Sequence, residues 1–230
     1  MTAPADRTAL KRAAAVRAVA EVQDGMVVGL GTGSTAELAV EALSKRIAQG
    51  LRIVAVPTSE RTRALAERSG VPLAPAGDWP SLDLDIDGAD QVERGSLDMI
   101  KGLGGALLRE KIVANAARRM IVVVDESKLV DRLGGRTPLP VEIVAFGWQG
   151  TLERLAALGL QPRLRGIGNQ PFISDGGNRI VDCHLGEIAD ARSLEARLSS
   201  IVGVVETGLF LGLASMVVVG HSTGIEVMKQ

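Results

Sequence analysis

From Lys101 to Lys111 the chain reads Lys-Gly-Leu-Gly-Gly-Ala-Leu-Leu-Arg-Glu-Lys. Gly102, Gly104 and Gly105 make a turn whose amides can be approached closely, and Lys101 adds an ammonium. Together they form a donor set suited to a developing oxyanion. Glu110, on the helical stretch that follows, is a carboxylate that could move a proton. Arg109-Glu110-Lys111 is equally the composition of a solvated helix face, so this stretch alone leaves both readings open.

Two earlier stretches carry similar potential. Leu82 to Asp90 reads Leu-Asp-Leu-Asp-Ile-Asp-Gly-Ala-Asp. On a strand Asp83, Asp85 and Asp87 share one face, and burying three carboxylates together is costly. A solvated edge is therefore expected for Asp83 and Asp85. Asp87 and Asp90, flanking Gly88 and Ala89, stand where a strand end would present them to a ligand. A metal held by Asp87 and Asp90 lacks further ligands in the sequence.

Gly29 to Glu37 reads Gly-Leu-Gly-Thr-Gly-Ser-Thr-Ala-Glu. A dinucleotide fingerprint needs another glycine spacing and an acid at the tip of the next strand; a Walker loop needs a lysine. Neither is present. A small phosphate fits better, held by amides at the start of the next helix and by Thr32, Ser34 and Thr35 around Gly33. The alternative is a tight turn with Ser34 as helix cap.

These loops need elements to hold them. Periodicity predicts helices over 10–22, 35–47, 59–68 and 104–117, and strands over 26–30, 52–56, 82–87 and 120–124, with Met99-Ile100 as a short strand. Strands alternating with helices imply a mostly parallel sheet with right-handed crossovers. After Lys128, Arg132 to Pro140 is rich in Gly and Pro and reads as a boundary. A strand over 141–146, helices over 152–158 and 193–198, and a hairpin around Asp175-Gly176-Gly177-Asn178 suggest a small α+β unit over 132–206. Met216–Val219 returns to the first sheet. The expected domains are thus 1–131 with 207–230, and 132–206.

Composition narrows the function. The chain has 230 residues, 46% hydrophobic and 23% charged, with a net charge of −1. No basic footprint points to nucleic acid. Aromatics are 2% and Tyr is absent, so base-stacking platforms are not expected. The single Cys183 excludes an internal disulfide and reads as a buried hydrophobe. His184 and His221 have no partner visible in the sequence and are expected to be structural. No apolar run is long enough for a membrane span. A cytoplasmic protein is expected.

The motifs Gly-Leu-Gly-Thr-Gly-Ser-Thr-Ala, Asp-Ile-Asp-Gly-Ala-Asp, Lys101 to Ile112, Val-Val-Asp-Glu-Ser-Lys-Leu-Val and Pro-Leu-Pro-Val-Glu, in this order, resemble ribose-5-phosphate isomerase of the A type, through Gly203–Phe210 near the end. The resemblance implies an α/β fold: a Rossmann-like domain, mostly parallel with helices on both faces, plus a small inserted α+β (ferredoxin-like) domain. It implies interconversion of ribose 5-phosphate and ribulose 5-phosphate through an enediolate, with no cofactor and no metal. It assigns Thr32, Gly33, Ser34 and Thr35 to the phosphate end of the sugar. Asp87, Gly88, Ala89 and Asp90, with Lys101, Gly102, Leu103 and Gly104, line the reacting end. Glu110 becomes the proton-transferring base, Asp87 and Lys101 its catalytic companions, Lys128 a further contact, and Lys11 a lysine near the phosphate. A homodimer or homotetramer is implied, with 208–213 as an exposed apolar stretch to match. Two positions depart from the family pattern. Leu103 replaces a glycine, which would be strained at positive φ but acceptable if only its amide is used. Gln91 stands where the family usually has Glu. Rival readings are an amino-sugar phosphate isomerase-deaminase, a sugar-phosphate sensor and a coenzyme A transferase.

Overall fold

Apolar runs alternating with amphipathic stretches produce the layers of this protein. The computed structural model describes residues 7–75, 77, 79, 81–168 and 170–230. The first six residues of the expected larger domain, with Ala76, Asp78, Pro80 and Asn169, lie outside the described residues. The chain groups into two compact units: one runs to Ala89 and adds Arg109–Leu129 and Gly212–Gln230, the other comprises Asp90–Leu108 and Val130–Leu211. Residues 132–206 all fall in the second unit, which also takes in 90–108.

The first unit is built on six strands in the order Gly224–Lys229, Ala214–His221, Met120–Asp125, Leu84–Gly88, Val27–Leu30, Val54–Pro57. Neighbours are parallel except for the antiparallel edge strand Gly224–Lys229. Strands buried on both faces read as continuous apolar runs, and Met120–Asp125 is buried throughout. Side chains alternate between the faces. Val28, Leu30, Leu84, Ile86, Ile121 and Val123 pack against Ala14, Ala18 and Val19 of α1 (Arg7–Val19) and Leu38, Val40 and Leu43 of α2 (Ser34–Ala48). Val56 and Leu82 pack with Val113 of α4 (Leu107–Ala116) in a separate cluster. The third helix, α3 (Glu60–Arg68), starts where Ser59 accepts a hydrogen bond from the Thr62 amide at 3.1 Å. From Val27–Leu30 the chain steps outward to Val54–Pro57 and then returns to the opposite side at Leu84–Gly88. That reversal is a topological switch point, beyond whose strand ends ligands of open α/β sheets bind.

In the second unit an antiparallel sheet has the order Gln161–Leu164, Arg179–His184, Leu139–Ile143, Val204–Thr207. Helices α5 (Trp148–Ala157) and α6 (Ala191–Ser199) supply Leu155, Leu194 and Leu198 to a core with Leu139, Val141, Ile143, Val181 and Cys183. The alternate positions carry Pro140, Glu142 and Asp182. A smaller sheet runs Leu209–Phe210, Met99–Ile100, Gln91–Glu93, Leu129–Val130.

Several expectations are corrected. Asp85 is no solvated edge residue: it is fully buried on a strand paired on both sides. The aspartate strand starts at Leu84, and Asp83 accepts from the Val27 amide at 2.9 Å. The hairpin around 175–178 is reduced to one bridge, Ile173 to Arg179. Arg179–His184 takes Gln161–Leu164 as its partner instead, while the Ser174 hydroxyl and Asn178 amide are held by Glu142 at 2.7 and 3.0 Å. The strand expected over 141–146 is Leu139–Ile143, and Phe146 is 93% exposed on the turn before α5. The stretch 208–213 is not an exposed apolar face, because Leu209 and Phe210 pair with Ile100 and Met99 and are fully buried.

Alanine and glycine let α1 lie close on the sheet. A Cβ on Gly220 would run into the Leu10 carbonyl on α1. Because Gly220 has no positive φ, Gly220→Ala is a purely steric test. It is expected to cost about 1–3 kcal/mol by overpacking, read as a lower urea midpoint with an unchanged slope.

Candidate active site

The first glycine turn owes its shape to carboxylates behind it. A Cβ on Gly29 would run into the Asp85 side chain and Val113, and one on Gly31 into Asp87. Asp87, only 1% exposed, accepts from the amides of Thr32 at 3.2 Å and Gly88 at 2.7 Å. The Gly31 amide donates to the Ile86 carbonyl at 3.0 Å. The Thr32 hydroxyl lies among those of Thr58 (2.8 Å), Ser59 (2.8 Å) and Thr62 (3.3 Å), and the Thr62 hydroxyl donates to the Gly31 carbonyl at 2.9 Å. Both donors of Thr32 thus hold the turn itself.

Gly33, at φ 106°, swings the chain into α2. Ser34 is the first helical residue and not the cap, and Gly33 has no side chain to cap with. The positive end of α2 at Ser34 and Thr35 is therefore open to an anion. Lys11 reaches the same place from α1: its Nζ donates to Ser34 Oγ at 3.1 Å and lies 3.8 Å from Asp125. Asp125 ends its strand and caps the short turn Glu126–Lys128, accepting from the Ser127 amide at 3.0 Å and from its hydroxyl. Burial alone would raise the Asp125 carboxyl. The Ser127 hydrogen bonds and the charges of Lys11 and Lys128 outweigh it and hold the group below its ordinary value. Asp125 was not singled out from the sequence, though an acid ending an apolar strand is the available signal.

Glu110, only 3% exposed, sits in the first turn of α4. It lies one turn before Val113 on the same helix face, the face that meets the Gly29 strand. Its neighbour Arg109 turns away to Glu60 at 2.7 Å.

In the second unit Lys101 is 2% exposed, its amide bonded to the Gly208 carbonyl at 2.9 Å and its ammonium 5.4 Å above the Phe210 ring. Gly102 (φ 105°) and Gly105 (φ 85°) adopt the conformations that favour glycine; Leu103 does not. Leu103 presents its amide to Asp90 Oδ2 at 2.9 Å and leaves its side chain exposed, so the departure from the family pattern carries no backbone strain. Gln91 uses both ends of its amide. Oε1 accepts from the Gly134 amide at 2.8 Å, and Nε2 donates to the Gly134 carbonyl at 2.8 Å and to Thr137 Oγ1 at 3.0 Å.

Of the sequence-selected residues, Thr32–Thr35, Asp87–Ala89, Glu110 and Lys128 belong to the first unit, and Asp90 and Lys101–Gly104 to the second. Cys183 is buried, and burial with the Asp182 charge pushes its thiol up to about 12, leaving no nucleophile. His221 does have carboxylate partners, Glu126 at 2.9 Å and Glu226 at 2.7 Å. Among the described residues no His, Cys, Asp or Glu group is arranged to hold a metal ion, and no helix is long and apolar enough to cross a membrane.

A parallel sheet with an open helix end, a lysine and hydroxyls beyond its switch point defines an α/β protein that can hold a small anion. The comparisons with known proteins sharpen that class. The family profile of ribose 5-phosphate isomerase A (phosphoriboisomerase A) matches residues 54–224. Ribose-5-phosphate isomerase A of Gloeobacter violaceus is 54% identical over 223 residues, covering 97% of both chains. A solved ribose 5-phosphate isomerase A from Methanocaldococcus jannaschii superposes with a TM-score of 0.93 at 39% identity, over 98% of this chain and 100% of that one. A solved D-ribose-5-phosphate isomerase in complex with phospho-erythronic acid superposes equally well, at 0.93 and 36% identity, over 98% of this chain and 100% of that one. The chain belongs to the ribose 5-phosphate isomerase A family.

Gln91→Glu removes one of two donors to the Gly134 carbonyl, which also accepts from the Thr137 amide at 3.3 Å. Losing one hydrogen bond costs about 1 kcal/mol, so a slightly lower urea midpoint at pH 7 is expected; an unchanged midpoint would show that the Gln91 contact carries no stability. For His221 the sign runs the other way with pH. Its hydrogen bond to Glu126, then that to Glu226, raises its pKa against the effect of burial. The stabilisation is full below the unfolded pKa of about 6.5 and is lost as pH rises through the raised folded value. His221→Gln should therefore lower Tm more at pH 6 than at pH 9, and an equal loss at both would remove the charge from the explanation.

Proposed function

We propose that this protein is an aldose–ketose isomerase that interconverts D-ribose 5-phosphate and D-ribulose 5-phosphate through an enediolate, without metal or cofactor. The observation that carries the reading is the solved relative holding phospho-erythronic acid. A phosphorylated four-carbon acid matches the phosphate of the sugar at one end and the charge of an enediolate at the other.

The roles follow from local chemistry. Ser34 and Thr35, with the open end of α2 and Lys11, hold the phosphate; Thr32 and Gly33 shape that turn. Lys128, beside Asp125, is a further substrate contact. Glu110 takes the proton from C2 of the aldose and returns it to C1. A carboxylate removed from water is poised for such a transfer, provided it remains ionised. Negative charge then develops on the carbonyl oxygen, and Lys101 and the turn amides are donors for it, already held in position. Asp87 and Asp90 are anchored on the backbone amides of Gly88 and Leu103 and assist ring opening at the Gly88-Ala89 segment.

The parallel sheet of the first unit supports reading it as the core of a Rossmann-like catalytic part, expected over 1–131 with 207–230. The strand–helix–strand–strand–helix–strand order of 139–207, with its two outer strands the second and last, supports a ferredoxin-like inserted part within 132–206. A homodimer or homotetramer and a cytoplasmic setting belong to the same reading. The exposed side chains of Phe146 and Val202 are apolar surface that an assembly would cover.

Purified protein with ribose 5-phosphate and a chelator should form ketose. Glu110→Gln, nearly isosteric, should keep the fold and bind phospho-erythronic acid while kcat falls by orders of magnitude. Near-parental kcat in that variant would take Glu110 out of the mechanism.

A further inference from the structure

The second glycine turn is gripped from its carbonyl side by a residue no motif pointed to. Arg165 Nη1 donates to the carbonyls of Gly102 at 2.9 Å and Leu103 at 3.1 Å. The rest of its guanidinium forms a fork on Asp182, Nε to Oδ2 at 2.9 Å and Nη2 to Oδ1 at 2.5 Å. Both side chains are largely buried, at 16% and 20% exposure. The Arg165 amide bonds the Ile180 carbonyl and its carbonyl accepts from the Phe172 amide, each at 2.8 Å. The Phe172 ring lies 5.8 Å from the guanidinium and fills the space a Cβ on Gly105 would need. This arginine is fixed at backbone, fork and ring face at once, which lysine could not reproduce.

Peptide geometry gives this grip a consequence. The described peptide bonds are trans, so each carbonyl points opposite to the amide N–H of the next residue. The peptide joining Gly102 and Leu103 is held at both edges, its carbonyl by Arg165 and its N–H by Asp90. The next peptide has its carbonyl, that of Leu103, on Arg165, so the N–H of Gly104 is turned away from the guanidinium on an exposed residue. A cation on the carbonyl edge also polarises that N–H as a donor.

We propose that Arg165, anchored by Asp182, is the positioning residue that orients the Gly104 amide as a donor to the enediolate oxygen. It touches no substrate and acts through the 102–104 backbone. The inference rests on the isomerase reading and adds a specific donor and its support.

The test compares parent protein with Arg165→Lys and Asp182→Asn, in ketose formation from ribose 5-phosphate and in binding of phospho-erythronic acid and inorganic phosphate. Lysine keeps the charge but loses the fork; asparagine keeps the shape but loses the anchor. A misplaced donor lowers kcat by about 10–100-fold. The KM for ribose 5-phosphate and the affinity for inorganic phosphate should stay within about threefold, because a phosphate contact is unchanged when only a transition-state donor is lost. Binding of phospho-erythronic acid should weaken. The double variant should lose much less than the two single losses combined, since both act on one turn. Unchanged kcat in folded variants would overturn the proposal. So would a parallel fall in kcat, phosphate affinity and Tm, which is the signature of a merely structural pair. If Arg165→Lys lacks a cooperative melt, Asp182→Asn carries the same readouts. A parent protein that makes no ketose refutes the isomerase reading, and this inference with it. A turning-over parent with indifferent variants refutes the inference alone.

Discussion

The first unit turns on an exchange of volume between a glycine and a carboxylate. Gly31 has no Cβ, and the Asp87 side chain occupies that space while accepting two backbone amides. Val27–Leu30 and Leu84–Gly88 are neighbours at the switch point of the sheet, and their ends are thereby locked together. The turn into α2 is then over-determined by Asp87 and the hydroxyls of Thr58, Ser59 and Thr62. What the turn can offer outward is the start of the helix. A larger residue at 31 would run into Asp87 and push apart the two strand ends that this turn joins.

The same logic recurs in the second unit with different parts. There the glycines at 102 and 105 have positive φ, and the peptides between them are held by side chains, Asp90 on an amide and Arg165 on carbonyls. Position 103 needs only its backbone, which is why leucine is accepted among glycines. Backbone donors serve well at an oxyanion because they do not rotate away; their cost is that neighbouring groups must fix the peptide planes. Gln91 does comparable work at the Gly134 turn, and an amide serves where a carbonyl and an N–H must both be met.

Burial of charge is concentrated in a few places. Asp85, Asp87, Lys101, Glu110 and Asp125 are all nearly inaccessible. Removing such groups from water is expensive unless hydrogen bonds and counter-charges compensate, as Ser127, Lys11 and Lys128 do for Asp125. Titratable groups kept in such settings are candidates for proton transfer and anion binding. The strand end beside Asp125 shows the ordinary alternative. His221 and its two glutamates form an exposed ion cluster whose strength follows pH and does no more than tie a strand end to the turn of Lys128.

The glycine turns were legible because they are local: a strand-like run, glycines, then a helix start, repeated with a lysine or carboxylates at the joint. The alternation of strands and helices was likewise readable from apolar period, and so were five of the six strands of the larger sheet in outline. Position in the sheet was not. Asp85 looks like a solvated edge in sequence, and only pairing with Val27–Leu30 and Met120–Asp125 buries it. Ser34 looks like a cap until Gly33 is seen to take that place. Arg179–His184 looks like half of a local hairpin, yet its partners start at Leu139 and Gln161. Arg165 and Asp182 carry no motif, because Arg165 meets a turn 63 residues away in the chain and Asp182 meets Arg165. Residue types and short spacings follow from local sterics and periodicity, and those the sequence determined by itself. Which carboxylate is buried, which amide is turned outward and which charge holds it are settled by contacts between distant segments, and only the tertiary structure decides them.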